Sequence, residues 1–370
     1  MINSHRVSLY QFLRVHMGLI LRCGESLWPI RKLLVGSALL LPLFAMSSVE
    51  AQKRTIKSTI DCKDCRIELR KVLDLDPAEI NTEPYVTAID NTGTLFYYDG
   101  KEQAVKVFDS NGSLKSRFGR AGSGPGEMRS VRNLLLDSSG NLHLIDVELG
   151  RRSVFTKNGK LVSDHNIPPV LGGPGRPALL QPNGGLVVNA LFTDRDAAGY
   201  SLLVTDHTGR RLKMLEESAM MATERWRGQR LLANARAGGF WVAKLYESEF
   251  LHYSHDLVND IVVRRDASWF PALDPQRQPS TGVFDRRPDV MIASMWEDVD
   301  GLLWVVYLVP DPQWKPGPSP ETVRRTRSPM SPLETRPRYR TRVEVLDTKR
   351  SLVLAASEFN SIIGRSYSSG

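Results

Sequence analysis

Long hydrophobic runs are almost absent from this chain of 370 residues. The only one is LLVGSALLLPLFAM at 33–46, and its 14 residues fall short of the ~20 that a membrane-spanning helix needs. Hydrophobic residues still make up 41% of the sequence and charged residues 24%, which are the proportions of an ordinary globular protein. These values exclude a multispanning membrane protein and a disordered chain.

Catalytic and metal-binding motifs are also missing. No Gly-x-Ser-x-Gly elbow is present, and the glycine-rich stretch 119–127 is not followed by the Gly-Lys-Ser/Thr of a phosphate-binding loop. The histidines beyond residue 51 form neither His-x-x-x-His nor His-Glu-x-x-His. They are His143, His165, His207, His252 and His255. Distant segments can still bring ligands together, so these histidines leave a metal site open.

Cysteine is scarce, with three residues in the chain, and Cys62 and Cys65 form the only close pair. In an oxidising compartment such a pair is expected to close a small disulfide loop. A redox site is a second interpretation, but its cysteines would open a helix, whereas the alternating residues 66–75 predict a strand. A zinc site is a third interpretation, and it would need further ligands from elsewhere in the chain.

The single hydrophobic run has the features of an export signal. Two basic residues precede it, and Val49 and Ala51 place small residues where a signal peptidase cleaves, so we expect residues 1–51 to be removed before Gln52. The mature chain is then periplasmic or extracellular, whereas an uncleaved segment would attach it to a membrane. Removal lowers the formal net charge from +8 to +5, which is too small and too dispersed for a nucleic-acid-binding surface.

One sequence unit is present twice between residues 85 and 166, at an offset of 47 residues. Its first copy contains Asp90, Gly93, Leu95, Asp99, Phe108, Asn111, Gly112 and Leu114, and its second contains Asp137, Gly140, Leu142, Asp146, Phe155, Asn158, Gly159 and Leu161. A period of this length is typical of propellers and other repeat proteins.

Four short strands are predicted in each unit, separated by turns that begin with Asp and place Gly where a positive φ is needed. The predicted strands are 85–90, 94–99, 104–109 and 113–118, and then 131–137, 141–146, 151–156 and 160–166. Four short antiparallel strands per repeat predict one propeller blade.

The two copies also resemble a known family. The stretches VFDSNGSLKSRFGRAGSGPGEM and LLLDSSGNLHLIDVELGRRSVFTKNGKLV look like NHL-type repeats, and the export signal is similar to that of bacterial six-bladed β-propeller proteins. The resemblance covers about 85–166 and departs from the family at Arg152, where NHL repeats carry a branched apolar residue. It implies an all-β propeller of four-stranded antiparallel blades.

The domain organisation follows from these repeats. Residues 52–65 are expected to form an N-terminal segment, and residues 66–370 a propeller of six blades. Because the orphan strand 66–75 and one C-terminal strand supply only two strands, the last blade is predicted to be incomplete. The Pro- and Arg-rich insertion 310–340 is predicted to be a long exposed loop that offers contact with an anionic surface.

Polar residues near the middle strands of the two units are the candidate site. Asp99, Asp146, Glu148 and Arg151 are expected to be exposed on one rim, where they would contact a partner, and NHL-like repeats often place an arginine at the position of Arg151. Three further aspartates precede glycine in the repeats and are interpreted as turn-forming residues. They are Asp90, Asp137 and Asp298.

The function that these patterns favour is binding. We expect an exported, monomeric, non-catalytic binding or scaffold propeller that recognises a protein or polymer through its rim loops and needs no cofactor. An alternative is a metal-dependent hydrolase or lyase with its site in the central channel. A third is a redox accessory protein that uses Cys62 and Cys65.

Overall fold

The computed structural model describes residues 15–22, 51–57, 60, 65–80, 86–167, 170–171, 178–189, 191–192, 199–217, 228–274, 277–280, 286–316 and 338–360. The regular structure of these residues is β-strand, apart from a 3-10 helix at Pro77–Glu79. The main sheets are five antiparallel units of four sequential strands, which are the blades of a propeller. The predicted all-β propeller is confirmed.

Three strands precede the blades and five groups of strands build them. The first three are β1 (Val15–Arg22), β2 (Gln52–Ile56) and β3 (Arg66–Asp74). Blade 1 contains β4 (Thr87–Ile89), β5 (Leu95–Asp99), β6 (Ala104–Phe108) and β7 (Leu114–Phe118). Blade 2 contains β8 (Val131–Leu136), β9 (Leu142–Asp146), β10 (Arg151–Phe155) and β11 (Leu161–Asn166).

The later blades repeat this order. Blade 3 contains β13 (Ala178–Leu180), β14 (Leu186–Asn189), β16 (Tyr200–Thr205) and β17 (Arg211–Glu217), while β12 (Val170–Leu171) and β15 (Leu191–Phe192) form a separate pair. Blade 4 contains β18 (Arg230–Asn234), β19 (Phe240–Lys244), β20 (Glu249–Tyr253) and β21 (Asn259–Arg265). Blade 5 contains β22 (Met291–Glu297), β23 (Leu303–Pro310), β24 (Tyr339–Asp347) and β25 (Leu352–Phe359).

Aspartate side chains close the turns between the first two strands of a blade. The Asp90 carboxylate accepts hydrogen bonds from the backbone N–H groups of Thr92 (2.9 Å) and Thr94 (3.0 Å). Gly93 completes this turn with a φ of 82°, a conformation that costs a residue with a Cβ atom free energy. Asp298 accepts from its own turn in the same way. The interpretation of these aspartates as turn-forming residues is confirmed.

Apolar side chains fill the spaces between neighbouring blades, because each sheet is apolar on both faces. Four apolar clusters each contain residues of two consecutive blades that are nearly inaccessible to water. Examples are Phe96 and Leu144 between blades 1 and 2, Val204 and Val242 between blades 3 and 4, and Val263 and Val305 between blades 4 and 5. Burial of these faces is the main stabilising contribution to the ring.

The ring closes through a segment that is not a four-stranded blade. Ile67 of β3 is 5% exposed and packs on the face of blade 5 that carries Val306 and Val345. Leu75 packs on the face of blade 1 that carries Leu95 and Phe108. Residues 65–80 therefore lie between blade 5 and blade 1, and they cover the face of each blade that no other blade covers.

The chain reaches this position along the outside of the ring. Strand β2 adds to the outer edge of blade 4, parallel to β21, and Ile56 is fully buried between blades 4 and 5. Arg54 donates to the Thr348 carbonyl oxygen of blade 5 at 2.8 Å, and Ile60 forms a parallel bridge with Val353. We call residues 52–57, 60 and 65–80 the N-terminal strap.

Six blades were predicted, and this number is wrong for the described residues, which form five. The prediction assumed that the spacing of 47 residues is kept throughout. The second strands instead begin 47, 44, 54 and 63 residues apart. These second strands begin at Leu95, Leu142, Leu186, Phe240 and Leu303. Part of the length that was assigned to a sixth blade lies in the connection between β21 and β22.

The predicted export signal contains one strand of the structure. Strand β1 pairs antiparallel with β3, from Val15 opposite Asp74 to Arg22 opposite Arg66, so cleavage before Gln52 would remove the partner of β3. Strand β2 begins at Gln52 itself and would be kept. The hydrophobic run 33–46 lies outside the described residues, as does 317–337 of the insertion. The described residues contain no helix that could span a bilayer.

Substitution of Ile56 tests whether the strap is part of the folded ring. Because its side chain is fully buried between two blades, Ile56→Ala leaves a cavity and should lower the free energy of unfolding by about 2–5 kcal/mol. Chemical denaturation measures this change. The neighbouring exposed Lys57 provides the control, since Lys57→Ala should be nearly neutral. Equal stability of the two variants would show that β2 is not docked.

Candidate functional site

The two ends of the ring carry different connections. The turns between second and third strands lie at the same end as the crossovers that lead from one blade to the next. This is visible at Asp146, whose carboxylate accepts from the backbone N–H groups of Arg129 (2.6 Å) and Ser130 (3.0 Å) in the crossover between blades 1 and 2. We call this end the crossover face. The other hairpin turns lie at the opposite face.

The predicted exposure of Asp99 and Asp146 is wrong. Asp99 is fully buried and Asp146 is 3% exposed. The Asp99 carboxylate accepts from the backbone N–H groups of Lys101 (3.0 Å) and Glu102 (3.2 Å), and it pairs with buried Lys106 at 3.0 Å. These carboxylates therefore stabilise turns from the inside, and a partner cannot reach them.

Arg151 and Glu148 have different positions on this face. The Arg151 guanidinium donates to the carbonyl oxygens of Ser123 (3.1 Å) and Glu127, so it holds the glycine-rich crossover and its side chain is only 11% exposed. The Glu148 side chain is 54% exposed and pairs with the exposed Arg129 at 3.2 Å. Of the four predicted residues, only Glu148 remains well exposed to a partner.

A histidine network joins blade 2 to blade 3. Arg152 donates through Nε to Nδ1 of His143 at 2.9 Å, so Nε2 of the imidazole carries the proton that is shared with Asp137 at 3.1 Å. Arg152 also donates to the Gly184 carbonyl oxygen of blade 3 at 2.6 Å. Burial lowers the pKa of His143, which favours the neutral ring. The residue that departs from the NHL pattern, Arg152, thus connects two blades.

Metal ligands and cysteines were the other predicted groups. The described part of the chain contains no set of three or more His, Cys, Asp or Glu side chains arranged to hold a metal ion. Cys65 lies next to β3 and packs against the cluster on blade 5. Cys62 lies outside the described residues, so the Cys62–Cys65 disulfide stays a prediction.

The crossover face carries an open groove of about 610 Å³ at blade 4. One wall is the turn between β19 and β20, and the other is the start of the crossover to blade 5. Its lining combines the charged side chains of Lys244, Glu247 and Arg264 with the apolar surface of Phe270 and Leu273. A groove with apolar surface and charges of both signs suits a ligand that is itself partly polar.

A buried ion pair supports this groove from below. Arg265, which lines it, forms a bidentate pair with Glu344 of blade 5, with distances of 2.7 and 3.0 Å, and both side chains are at most 1% exposed. Arg342 donates to the same carboxylate at 2.9 Å and stacks 4.5 Å from the ring centroid of Trp269. One carboxylate therefore fixes two guanidinium groups between blades 4 and 5.

Aromatic rings complete this support. Tyr307 is fully buried, and its ring meets Trp269 edge to face at a centroid distance of 4.9 Å. Among the described residues, the Tyr307 hydroxyl and the Trp269 indole N–H have no hydrogen-bond partner. Burial raises the pKa of Tyr307 well above its usual value, so the phenol stays protonated. The layer below the groove is thus built from packed aromatic rings and the buried ion pair.

Sequence reasoning missed this groove. It depends on the crossover after Arg265, where no candidate site residue was predicted. The distance from Arg265 to Glu344 along the chain is 79 residues, and no local pattern joins two residues so far apart. The available signal was the aromatic pair Trp269 and Phe270 inside a crossover between blades that is longer than the other crossovers.

Solved structures provide the comparisons. The chain is similar to a predicted exported protein from Bacteroides fragilis, with 12% identity, a TM-score of 0.54 and coverage of 83% of this chain and 80% of that one. It is also similar to a member of the DUF4221 family from Bacteroides vulgatus, with 12% identity, a TM-score of 0.52 and coverage of 74% and 80%. At such identities the likeness shows the propeller fold alone.

A further similar structure is virginiamycin B lyase from Staphylococcus aureus, with 11% identity, a TM-score of 0.42 and coverage of 77% of this chain and 86% of that one. No protein-family model and no curated protein sequence matches the chain. The NHL resemblance therefore stays a prediction.

Removal of the charge of Glu344 tests the support of the groove. Glu344→Gln leaves Arg265 buried without a counter-charge, so we expect the free energy of unfolding to fall by about 3–5 kcal/mol. Glu358 is the matched control, because it also pairs with Arg342 but is 49% exposed. Glu358→Gln should change stability by less than about 1 kcal/mol. Equal effects in denaturation experiments would contradict the buried pair.

Proposed function

We propose that this protein is an exported, non-catalytic binding module that holds an extended segment of a protein or polymer in the groove at blade 4. The observation that carries the proposal is the composition of the groove. Its described lining contains side chains of both charges, two serines and apolar surface, but no histidine and no cysteine. These groups can bind a polar chain, and the described lining lacks histidine, the side chain whose charge changes near neutral pH.

The support of the groove agrees with a binding role. Arg265, Glu344 and Trp269 fix its base, so little conformational entropy is lost when a ligand is bound. Lys244 pairs with Glu247 at 2.8 Å at its mouth, where the two side chains are 30% and 50% exposed. Such exposed charges contribute to the selection of a partner more than to affinity.

Other parts of the proposal rest on the sequence. We propose that the mature chain begins at Gln52, acts as a monomer in the periplasm or outside the cell, and carries the Cys62–Cys65 disulfide. The structural similarity to a predicted exported protein agrees with export. The metal-dependent hydrolase or lyase stays an alternative prediction, because no set of ligands in the described residues favours it.

A peptide array tests the proposal. The purified protein, with no added cofactor, should bind a subset of arrayed extended peptides without cleaving them. The double variant Lys244→Glu, Arg264→Glu reverses two charges in the groove and should weaken binding to those peptides by at least about tenfold. Fluorescence anisotropy with the strongest peptides measures the affinity.

The matched control reverses two exposed charges elsewhere. Lys101→Glu, Lys160→Glu changes the net charge by the same amount, at blade 1 and at blade 2. It should bind the peptides as the wild type does. Equal loss in both double variants would contradict the groove as the site, and peptide cleavage that needs an added metal ion would favour the alternative function.

A further inference from the structure

Six basic residues lie together on the crossover face beside blade 5. They belong to two segments, the crossover from blade 4 and the base of the insertion between β23 and β24. We call this set the basic corner, and its members are Arg277, Arg286, Arg287, Lys315, Arg338 and Arg340. The Ser280 hydroxyl donates to the Arg286 carbonyl oxygen at 2.9 Å, and the Tyr339 hydroxyl donates to the Ser280 carbonyl oxygen at 3.4 Å. The first bond lies within the crossover, and the second joins the crossover to the base of the insertion.

The acidic residues of the corner are used within it. Asp289 accepts two hydrogen bonds from Arg277, at 3.0 and 2.5 Å, and a third from the backbone N–H of Ser280 at 2.7 Å. Asp311 is 5% exposed and pairs with Arg340 at 3.2 Å. Both carboxylates therefore neutralise a neighbouring arginine inside the corner. The crossover also contains Asp266 and Asp274, which are both exposed, and Asp285, which lies outside the described residues.

The outward charge of the corner is positive. The side chains of Arg286, Arg287 and Lys315 are exposed, and no acidic residue of the described part of the chain forms an ion pair with them. Some basic residues elsewhere on the surface are paired, such as Lys115 with Asp109 at 2.8 Å and Arg210 with Asp206 at 3.1 Å. The corner differs from these positions because it groups three exposed cations that have no ion-pair partner among the described residues.

The corner also contains an aromatic side chain, which indicates the kind of partner that it binds. Trp314 is half-buried next to Lys315, in a turn where Pro312 and Pro316 are exposed. The Trp314 backbone N–H donates to the Asp311 carbonyl oxygen at 3.0 Å, which fixes this turn. An indole beside exposed cations is typical of surfaces that lie against lipid headgroups, because the ring enters the interface and the charges remain at phosphate level.

We propose that the basic corner binds the anionic headgroups of a phospholipid surface. This binding would hold the crossover face, with the groove at blade 4, against a membrane. It does not depend on what the groove binds, so the two proposals can fail separately. A bilayer with anionic lipids attracts each nearby basic residue by an amount that corresponds to about a fivefold change in partition.

Vesicle co-sedimentation tests this proposal on the full chain. The wild type should bind vesicles of phosphatidylglycerol and phosphatidylcholine more strongly than vesicles of phosphatidylcholine alone, and this difference should shrink as salt is added. The triple variant Arg286→Glu, Arg287→Glu, Lys315→Glu should bind the anionic vesicles at least roughly a hundredfold more weakly.

The control is a triple variant of equal charge on the opposite face, with Lys115→Glu, Lys160→Glu and Lys349→Glu. It should bind vesicles much more strongly than the corner variant, and the thermal unfolding midpoints of both should stay near that of the wild type. Any contribution of the hydrophobic run 33–46 is the same in both variants.

Three results would overturn the assignment. They are equal vesicle binding by the two triple variants, binding that does not depend on phosphatidylglycerol, and binding to soluble polyphosphate without binding to vesicles. The last result would assign the corner to an anionic polymer in place of a lipid surface.

Discussion

The ring depends on the packing of residues 65–80 between blade 5 and blade 1. Without this segment, the face of blade 5 with Val306 and Val345 and the face of blade 1 with Leu95 and Phe108 would meet water. Ile67 and Leu75 cover them in place of a further four-stranded blade. A propeller needs each sheet to bury both of its faces, so five blades close only with this additional layer.

The same strap connects closure of the ring to the crossover face. The Ile56 carbonyl oxygen accepts a hydrogen bond at 2.8 Å from the backbone N–H of Asp266, the first residue of the crossover that forms the groove. Arg265, next to it, extends its guanidinium to Glu344 of blade 5. The groove therefore lies where the outer edge of blade 4, the strap and blade 5 meet, and the basic corner follows further along the same crossover. Loss of the strap would disturb both surfaces.

Local features of the structure could be predicted well from the sequence, whereas contacts between distant parts of the chain could not. The turns at Asp90 and Asp298 and the strands of the first two blades, to within two residues, follow from short patterns of Asp, Gly and alternating apolar residues. Asp99 and Asp146 were misplaced because a polar residue at the end of a strand is usually exposed, whereas these carboxylates turn inward to bond backbone N–H groups. The groove requires contacts across 79 residues, which no repeat encodes.

Methyl and aromatic nuclear Overhauser effects in the purified protein test the closure of the ring most directly. The account predicts cross-peaks from the Ile67 methyl groups to side chains of blade 5, including Trp304, and from the Leu75 methyl groups to the rings of Tyr97 and Phe108 in blade 1. Random-coil shifts for Ile67 and Leu75, without these cross-peaks while the blades keep their own, would contradict it.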